Sequence, residues 1–164
     1  MNRLLGRQGS VIMQALDHGN TVEETDEAVL RMGLPMAPSV LLQLVGPKVA
    51  NHVRHTLHDA WPDRFPLSAT LESLAEGGGD PVVVEHAPRS VEELHTAVLE
   101  ALADESRHIL EEGVVAEAAD IDTCLLLGAG FPFWLGGITK HLDQTGVSQR
   151  VVGGPLAELS STTS

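Results

Sequence analysis

The sequence predicts an all-α protein. Helix start and stop signals recur along the chain, apolar residues recur at intervals of three and four, and the alternating pattern of a half-buried strand is nearly absent. With 164 residues, the chain is long enough for one ordinary domain or for two small units that share a core. We therefore expect helices packed on helices.

Glycine, proline and capping residues divide the first half of the chain into helices. A first helix ends at Gly19, and Thr21 with Glu24 has the spacing of a capping box that begins a second helix. Gly33 ends this second helix. The remaining elements predicted in this half are a helix from Val40 to Val45 capped by Ser39, a helix from Pro47 to about Ala60 with a buried stripe of Val49, Val53 and Leu57, and a short helix around Leu71 and Leu74.

The second half begins with a glycine-rich linker. Gly77 to Pro81 is costly to order, and Val82 to Val84 has no second strand with which to pair. Ser90 with Glu93 forms another capping box. The elements predicted after it are a long helix from Val91 to about Glu112 with an apolar face of Leu94, Val98, Ala101, Leu102, Ile109 and Leu110, and two shorter helices, from Ile121 to Leu127 and from Gly137 to Thr145.

An internal repeat runs through both halves. Each copy has a helix that ends in Gly, an Asp in the next helix, a turn from Gly to Pro, an apolar helix and a closing Gly. The members of the two copies are Gly19, Asp26, Gly33, Pro35 and Gly46, and Gly113, Asp122, Gly130, Pro132 and Gly146. One copy alone would bury a marginal core, so we expect two tandem helical repeats packed with pseudo-twofold symmetry. The predicted boundaries are residues 1–76 and 90–150 for the repeats, 77–89 for the linker and 151–164 for a disordered tail rich in Gly, Ser and Thr.

Charge and composition exclude several classes of partner. The formal net charge is −13, with only ten Lys and Arg, and it repels phosphate backbones and anionic lipid surfaces, so neither nucleic acid nor a membrane is an expected partner. No run of about twenty apolar residues and no secretory signal are present in the sequence. Cys124 is the only cysteine and is predicted to be a small buried hydrophobic residue. We expect a soluble, cytoplasmic protein.

Three groups of residues that could suggest chemistry have simpler explanations. His52, His55 and His58 spread across the outer face of their helix instead of stacking at i and i+4, which disfavours a zinc site. Gly128 and Gly130 are followed by an apolar run and predict a packed turn instead of a phosphate-binding loop. No cation or histidine near Cys124 in the sequence would stabilise its thiolate. The sequence therefore predicts no metal site and no cysteine nucleophile.

Short runs in both copies match, in the same order, the runs of a known family. In the first copy they are Asn2-Arg3-Leu4-Leu5, Met32-Gly33-Leu34-Pro35-Met36-Ala37-Pro38 and Leu42-Gln43-Leu44-Val45-Gly46. In the second they are Glu111-Glu112-Gly113, Asp120-Ile121-Asp122, Gly128-Ala129-Gly130-Phe131-Pro132, Gly136-Gly137 and Leu142-Asp143-Gln144-Thr145-Gly146. The first set resembles the C-terminal domain of 3-hydroxyacyl-CoA dehydrogenases. The second resembles the repeat copy in the α-subunits of bacterial multifunctional fatty-acid oxidation complexes.

The resemblance implies a fold like the C-terminal domain of 6-phosphogluconate dehydrogenase and a role in fatty-acid β-oxidation. In the family, a preceding Rossmann domain binds NAD and supplies the catalytic histidine, its glutamate partner and a serine. No matching residues occur in this sequence, so we expect no cofactor in this chain. The active-site asparagine of the family corresponds to Asn2, and Met36 and Pro38 correspond to residues near the mouth of its acyl-CoA site. Ala37, Ser39 and Gln43 depart from the family pattern there.

Two functional hypotheses follow from the sequence. In the first, the chain is the helical part of a 3-hydroxyacyl-CoA dehydrogenase, which contributes to the acyl-CoA cleft and to dimer-like packing and whose partner is a Rossmann NAD-binding domain. On this hypothesis the chain alone is inactive. In the second, the chain is a stand-alone, non-enzymatic helical module that self-associates or binds a partner. Asn2 distinguishes the two, because its side chain matters only in the first.

Overall fold

The computed structural model describes residues 1–159, whose regular secondary structure consists of helices, with no strand among these residues. The predicted all-α class is therefore confirmed for this range. The α-helices are α1 (Asn2–Asp17), α2 (Val22–Leu30), α3 (Pro38–Val45), α4 (Pro47–Ala60), α5 (Ala69–Ala75), α6 (Val91–Glu111), α7 (Ala118–Gly128), α8 (Ile138–Gln144) and α9 (Val147–Val152). Two short 3-10 helices cover Phe133–Leu135 and Leu156–Glu158.

The two capping boxes predicted from the sequence form at the starts of α2 and α6. Thr21 and Glu24 make a reciprocal capping box at the start of α2, since each side chain accepts a hydrogen bond from the backbone of the other residue. At the start of α6, the Ser90 backbone N–H donates to Glu93 Oε2 at 2.8 Å, and the Glu93 N–H donates to Ser90 Oγ at 3.3 Å. Hydrogen bonds from the Thr21 backbone and the Asn20 side chain to the Glu24 carboxylate lower the pKa of Glu24, and those from the Ser90 hydroxyl and backbone N–H lower the pKa of Glu93. Both helix starts are therefore set by residues three positions apart.

The chain forms two compact units. The N-terminal unit comprises Leu5–Met32 and Met36–Val98, and the C-terminal unit comprises Met1–Leu4, Gly33–Pro35 and Leu99–Ser164, of which residues up to 159 are described. Buried apolar residues of the N-terminal unit include Ile12, Ala15, Leu16, Ala28, Val29, Phe65, Leu71, Leu94 and Val98. Those of the C-terminal unit include Leu102, Leu110, Ile121, Leu125, Phe131, Ile138, Leu142, Val147 and Leu156. The predicted apolar face of α6 is confirmed, since all six of its residues are buried.

An aspartate at the end of α1 organises the N-terminal unit. The carboxylate of Asp17 accepts hydrogen bonds from Ser68 Oγ at 3.1 Å and from the backbone N–H groups of Ala69 and Thr70 at 3.2 and 2.9 Å. Its carbonyl oxygen accepts from the N–H of Val84 at 2.8 Å. The first turn of α5 and the segment after it are thus held to the end of α1.

Two further aspartates hold later helices in the same way. Asp26 in α2 accepts hydrogen bonds from the backbone N–H of Ser39 at 2.9 Å and from its hydroxyl. Asp122 in α7 accepts from the backbone N–H and the hydroxyl of Thr139, both at 2.7 Å. Ser39 and Thr139 are each the second residue of their helix, α3 and α8. The same hydrogen-bonding arrangement therefore holds the helix that follows each of the two proline turns.

Several local predictions were wrong. Ser39 does not cap α3, which begins one residue earlier at Pro38, and its hydroxyl is engaged by Asp26. Val49 and Val53 are 54% and 38% exposed, because α4 buries the face that contains Arg54 and Leu57. The disordered tail predicted from residue 151 was wrong for residues 151–159, where α9 continues to Val152 and Leu156 is fully buried. Residues 160–164 of that prediction lie outside the described residues.

The buried face of α4 contains a charged residue, Arg54, although the sequence predicted an apolar face there. Arg54 is 5% exposed, its Nη1 donates to Ser10 Oγ, and its Nε has no hydrogen-bond partner. Burial and, to a lesser extent, the charge of Arg7 lower the pKa of Arg54 to about 10. The charged form of this side chain is therefore less favourable in the folded chain than in the unfolded chain.

Among residues 1–159, no helix is both long enough and apolar enough to cross a lipid bilayer.

Replacing Asp122 with Ala should lower the free energy of unfolding by about 1–3 kcal/mol, since the N–H and hydroxyl of buried Thr139 would lose their acceptor. Urea unfolding followed by circular dichroism measures this value. Asp80→Ala, the same change at an exposed loop position, should alter it by less than about 0.5 kcal/mol. Equal effects of the two changes would show that Asp122 does not stabilise the start of α8.

Replacing Arg54 with Met should raise the free energy of unfolding at pH 7 by about 1–3 kcal/mol, because the variant buries no charge and Ser10 Oγ keeps the Gly6 carbonyl as its partner. The folded-state pKa of about 10 lies below the ordinary value of an arginine side chain. Between these values the folded chain releases its proton first, so wild-type stability gains from rising pH and the advantage of the variant shrinks. Urea titrations at neutral pH and above pH 10 measure both effects. A variant less stable than the wild type at neutral pH would contradict this account.

Candidate functional site

Asn2, the residue that the sequence matched to a catalytic asparagine, lies at the rim of a pocket in the C-terminal unit. It is the first residue of α1 and its side chain is exposed. The pocket has a volume of about 410 Å³, within the range of small-molecule sites. Its lining residues are Met1, Asn2, Arg3, Leu4, Ile109, Val114, Val115, Ile121 and Cys124. They come from the start of α1, the end of α6, the loop after α6, and α7.

The loop that forms one wall of this pocket is held by backbone hydrogen bonds. The N–H of Val114 donates to the carbonyl oxygen of Ile109 at 3.0 Å, and the N–H of Gly113 donates to Leu110 at 3.0 Å. This arrangement closes the C-terminal end of a helix and turns the chain away from its axis. At the other end of the loop, Asp120 Oδ2 accepts from the backbone N–H of Glu117 at 3.2 Å. The pocket wall is therefore defined at both of its ends.

The charge beside Asn2 is balanced within the C-terminal unit. Arg3 Nε donates to Glu105 Oε1 at 2.5 Å, and Arg3 Nη1 donates to Glu112 Oε2 at 2.6 Å. The Glu105 side chain is fully buried and that of Arg3 is 12% exposed, so water screens this pair poorly. Because two carboxylates engage the guanidinium, Arg3 does not give the pocket a net positive charge.

The prediction that Cys124 is buried was wrong, since its thiol is free and exposed. Helix α7 buries Ala118, Ile121 and Leu125, which follow one another at intervals of three and four. Cys124 lies one residue before Leu125 and so points about 100° away from Leu125, at the edge of this stripe. The apolar neighbours of Cys124 in the sequence concealed this, because helix periodicity places adjacent residues on different faces.

Met36 and Pro38, the other two predicted site residues, belong to the N-terminal unit, whereas Asn2 belongs to the C-terminal unit. Met36 is 38% exposed and Pro38 is the first residue of α3. No residue of α3 is buried, and the helix exposes Val40, Leu44 and Val45. The surface beside Met36 and Pro38 is therefore apolar.

The three histidines of α4 take part in separate contacts. His58 Nδ1 lies 2.9 Å from the carbonyl oxygen of Phe65, and His55 Nε2 lies 3.6 Å from Glu72 Oε1. His52 is exposed. In the described part of the chain, no group of three or more His, Cys, Asp or Glu side chains is arranged to hold a metal ion.

The glycine turn after α7 does not fit a dinucleotide. Gly130 has a φ of +66° and follows a helix, and a Cβ atom placed on it would lie 3.1 Å from Pro35 Cγ. A pyrophosphate-binding turn instead follows a strand and leaves its backbone open to the ligand. The packed turn predicted from the sequence is thus what forms here.

Sequence comparisons agree with the resemblance seen in the motifs. Residues 1–79 match the model of a family described as the 3-hydroxyacyl-CoA dehydrogenase, C-terminal domain. The fatty acid oxidation complex subunit alpha of Shewanella frigidimarina is 28% identical over 182 residues, which cover 92% of this chain and 25% of that protein. The same subunit of Acinetobacter baylyi is 25% identical over 186 residues, covering 92% of this chain and 26% of that protein. The chain spans about a quarter of the length of the curated relatives it matches.

Replacing Glu105 with Gln should lower the free energy of unfolding by about 3 kcal/mol, because the mostly buried Arg3 would lose a buried counter-charge. Chemical denaturation measures the change. Glu111→Gln is a matched control on the same helix, since Glu111 pairs with the partly exposed Arg107, and it should cost less than about 1 kcal/mol. If Glu105→Gln were no more destabilising than this control, the buried pair would not be what holds the start of α1.

Proposed function

Because the chain is similar to the C-terminal domain of 3-hydroxyacyl-CoA dehydrogenases over residues 1–79 and to fatty acid oxidation α-subunits over 92% of its length, we propose that it is the helical substrate-cleft part of such a dehydrogenase. Its partner is a Rossmann domain that binds NAD, and its substrate in the assembled enzyme is a 3-hydroxyacyl-CoA. The proposed location is the cytoplasm. The observation that supports this role best is the position of Asn2 on an apolar pocket.

In the proposed mechanism, the carboxamide of Asn2 binds an oxygen atom of the substrate. Its Nδ2–H groups can donate to the 3-hydroxyl oxygen or to the thioester carbonyl, and its Oδ1 can accept from the hydroxyl. Binding of this kind orients the carbon that loses its hydride. NAD bound to the Rossmann domain would accept that hydride, and the histidine that the family's Rossmann domain supplies would accept the proton of the 3-hydroxyl group. The ion pairs of Arg3 with Glu105 and Glu112 hold the first turn of α1, and therefore Asn2, in place.

We further propose that the two repeats pack in a dimer-like, pseudo-twofold manner. Two reciprocal close approaches support this arrangement. A Cβ atom on Gly33 would lie 3.1 Å from Pro132 Cγ, and one on Gly130 would lie 3.1 Å from Pro35 Cγ. These four residues are the equivalent turn positions of the two copies, and the exchange of partners is what a twofold axis produces.

The second candidate function is a stand-alone, non-enzymatic module that self-associates or binds a partner. One observation favours it. Helix α3 is almost wholly apolar yet has no buried residue, and its Leu44 is 72% exposed. Exposed apolar surface of this kind commonly marks an interface.

Mixing the purified chain with the NAD-binding domain of a fatty acid oxidation α-subunit should restore NAD reduction by a 3-hydroxyacyl-CoA, whereas the chain alone should show none. Asn2→Ala should reduce the restored kcat by about 100-fold, since a hydrogen bond to the reacting substrate is lost. Asn51→Ala, on α4 of the N-terminal unit, should leave the rate unchanged. Absorbance of the reduced nicotinamide measures each rate.

Turnover by the chain alone, or restored activity that does not depend on Asn2, would overturn the proposed role. A chain that forms stable oligomers by sedimentation and restores no activity would favour the second candidate.

A further inference from the structure

The pocket beside Asn2 combines residues from both copies of the repeat. Asn2 and Leu4 come from the start of the first copy, whereas Val114, Ile121 and Cys124 come from the second. All of them belong to the C-terminal unit. In this pocket the amide of the proposed catalytic residue is therefore next to side chains that the first copy does not contain.

The mostly aliphatic lining of the pocket suits the hydrocarbon part of a thioester substrate. Ile109, Val114, Val115, Ile121 and Leu4 offer hydrocarbon surface, and Cys124 behaves as a small apolar group that is a weak hydrogen-bond donor. Arg3 is engaged by Glu105 and Glu112, so the pocket presents no net cation to a phosphate. A flexible hydrocarbon chain suits this surface, and the phosphates of a nucleotide do not.

We propose that this pocket holds the acyl chain of the 3-hydroxyacyl thioester and that the second copy, through Val114, Ile121 and Cys124, sets the preferred chain length. This inference rests on the proposed function, because it takes Asn2 to mark the end of the pocket where the 3-hydroxyl group lies. The loop wall at Val114 is held to the end of α6 by its hydrogen bond to Ile109, so the depth of the pocket is a property of the fold.

The single thiol of the chain provides a direct measure of occupancy. Cys124 is the only cysteine, it is exposed, and it lines the pocket. An acyl chain bound there would shield the thiol from iodoacetamide. The rate of alkylation of the whole chain, followed by intact mass, therefore reports binding without requiring turnover.

The experiment measures this rate in the presence of N-acetylcysteamine thioesters from 3-hydroxybutyryl to 3-hydroxydodecanoyl. Protection should require about fourfold less thioester for each added methylene until the pocket is full, as expected for burial of hydrocarbon. Acetyl-N-acetylcysteamine and desulfo-CoA should give no protection. Equal alkylation rates with every thioester would overturn the proposal.

Two matched variants test the position of the site. Val114→Asp, at a residue that is 58% exposed and lines the pocket, should abolish the dependence on chain length. Leu127→Asp, at a residue of α7 that is 85% exposed and is not among the lining residues, should leave it unchanged. Circular dichroism verifies that both variants fold. Loss of protection in both variants, or in neither, would contradict the assignment.

Measuring both alkylation and restored activity in these variants tests the acyl pocket separately from the proposed function on which it rests. In the enzyme restored by adding the NAD-binding domain, Val114→Asp should raise KM for long-chain substrates, whereas Leu127→Asp, outside the pocket, should leave both KM and kcat unchanged. Restored, Asn2-dependent activity without chain-length-dependent protection would refute the acyl pocket and leave the proposed function standing. Protection without restored activity would support the pocket and refute the role as a dehydrogenase part.

Discussion

Aspartate side chains that accept hydrogen bonds from the first turn of a later helix organise both units of this protein. Asp17, Asp26, Asp122 and Asp143 each accept from backbone N–H groups at the start of a following helical segment. The first N–H groups of a helix have no partner within the helix and carry a partial positive charge, so a carboxylate is a favourable acceptor there. Neither α3 nor α8 has a side-chain cap of its own, since their N-cap residues are Ala37 and Gly137. Their starts therefore depend on residues in an earlier helix.

Because an aspartate in one helix holds the start of a later helix, the two helices are also held close together in space. Asp26 and Asp122 each hold the second residue of a helix that follows a proline turn. The turns themselves require glycine, because Gly33 and Gly130 have φ angles of +79° and +66° and a side chain would also meet a proline ring. The same combination of an aspartate acceptor and a glycine turn thus precedes both α3 and α8.

The pocket beside Asn2 places one uncharged polar side chain among mostly apolar residues. The guanidinium of the neighbouring Arg3 is engaged by Glu105 and Glu112. With that charge balanced, the amide of Asn2 is the uncharged polar group of a lining that is otherwise apolar apart from Arg3 and the thiol of Cys124. Such a surface can orient a hydroxyl or carbonyl oxygen while it accommodates hydrocarbon.

Signals that act within a few residues of one another could be predicted from the sequence. The capping boxes of Thr21 with Glu24 and Ser90 with Glu93, and the apolar face of α6, depend on local backbone geometry, and all formed as expected. Asn2 was proposed as a site residue only through the resemblance of its sequence run to a family motif. The pocket around it could not be predicted, because its walls come from residues more than a hundred positions apart. Cys124, Val49 and Val53 were wrongly predicted to be buried, because their burial also depends on residues distant in the sequence. Helix periodicity defines which residues share a face, but only packing against distant elements decides which face is covered.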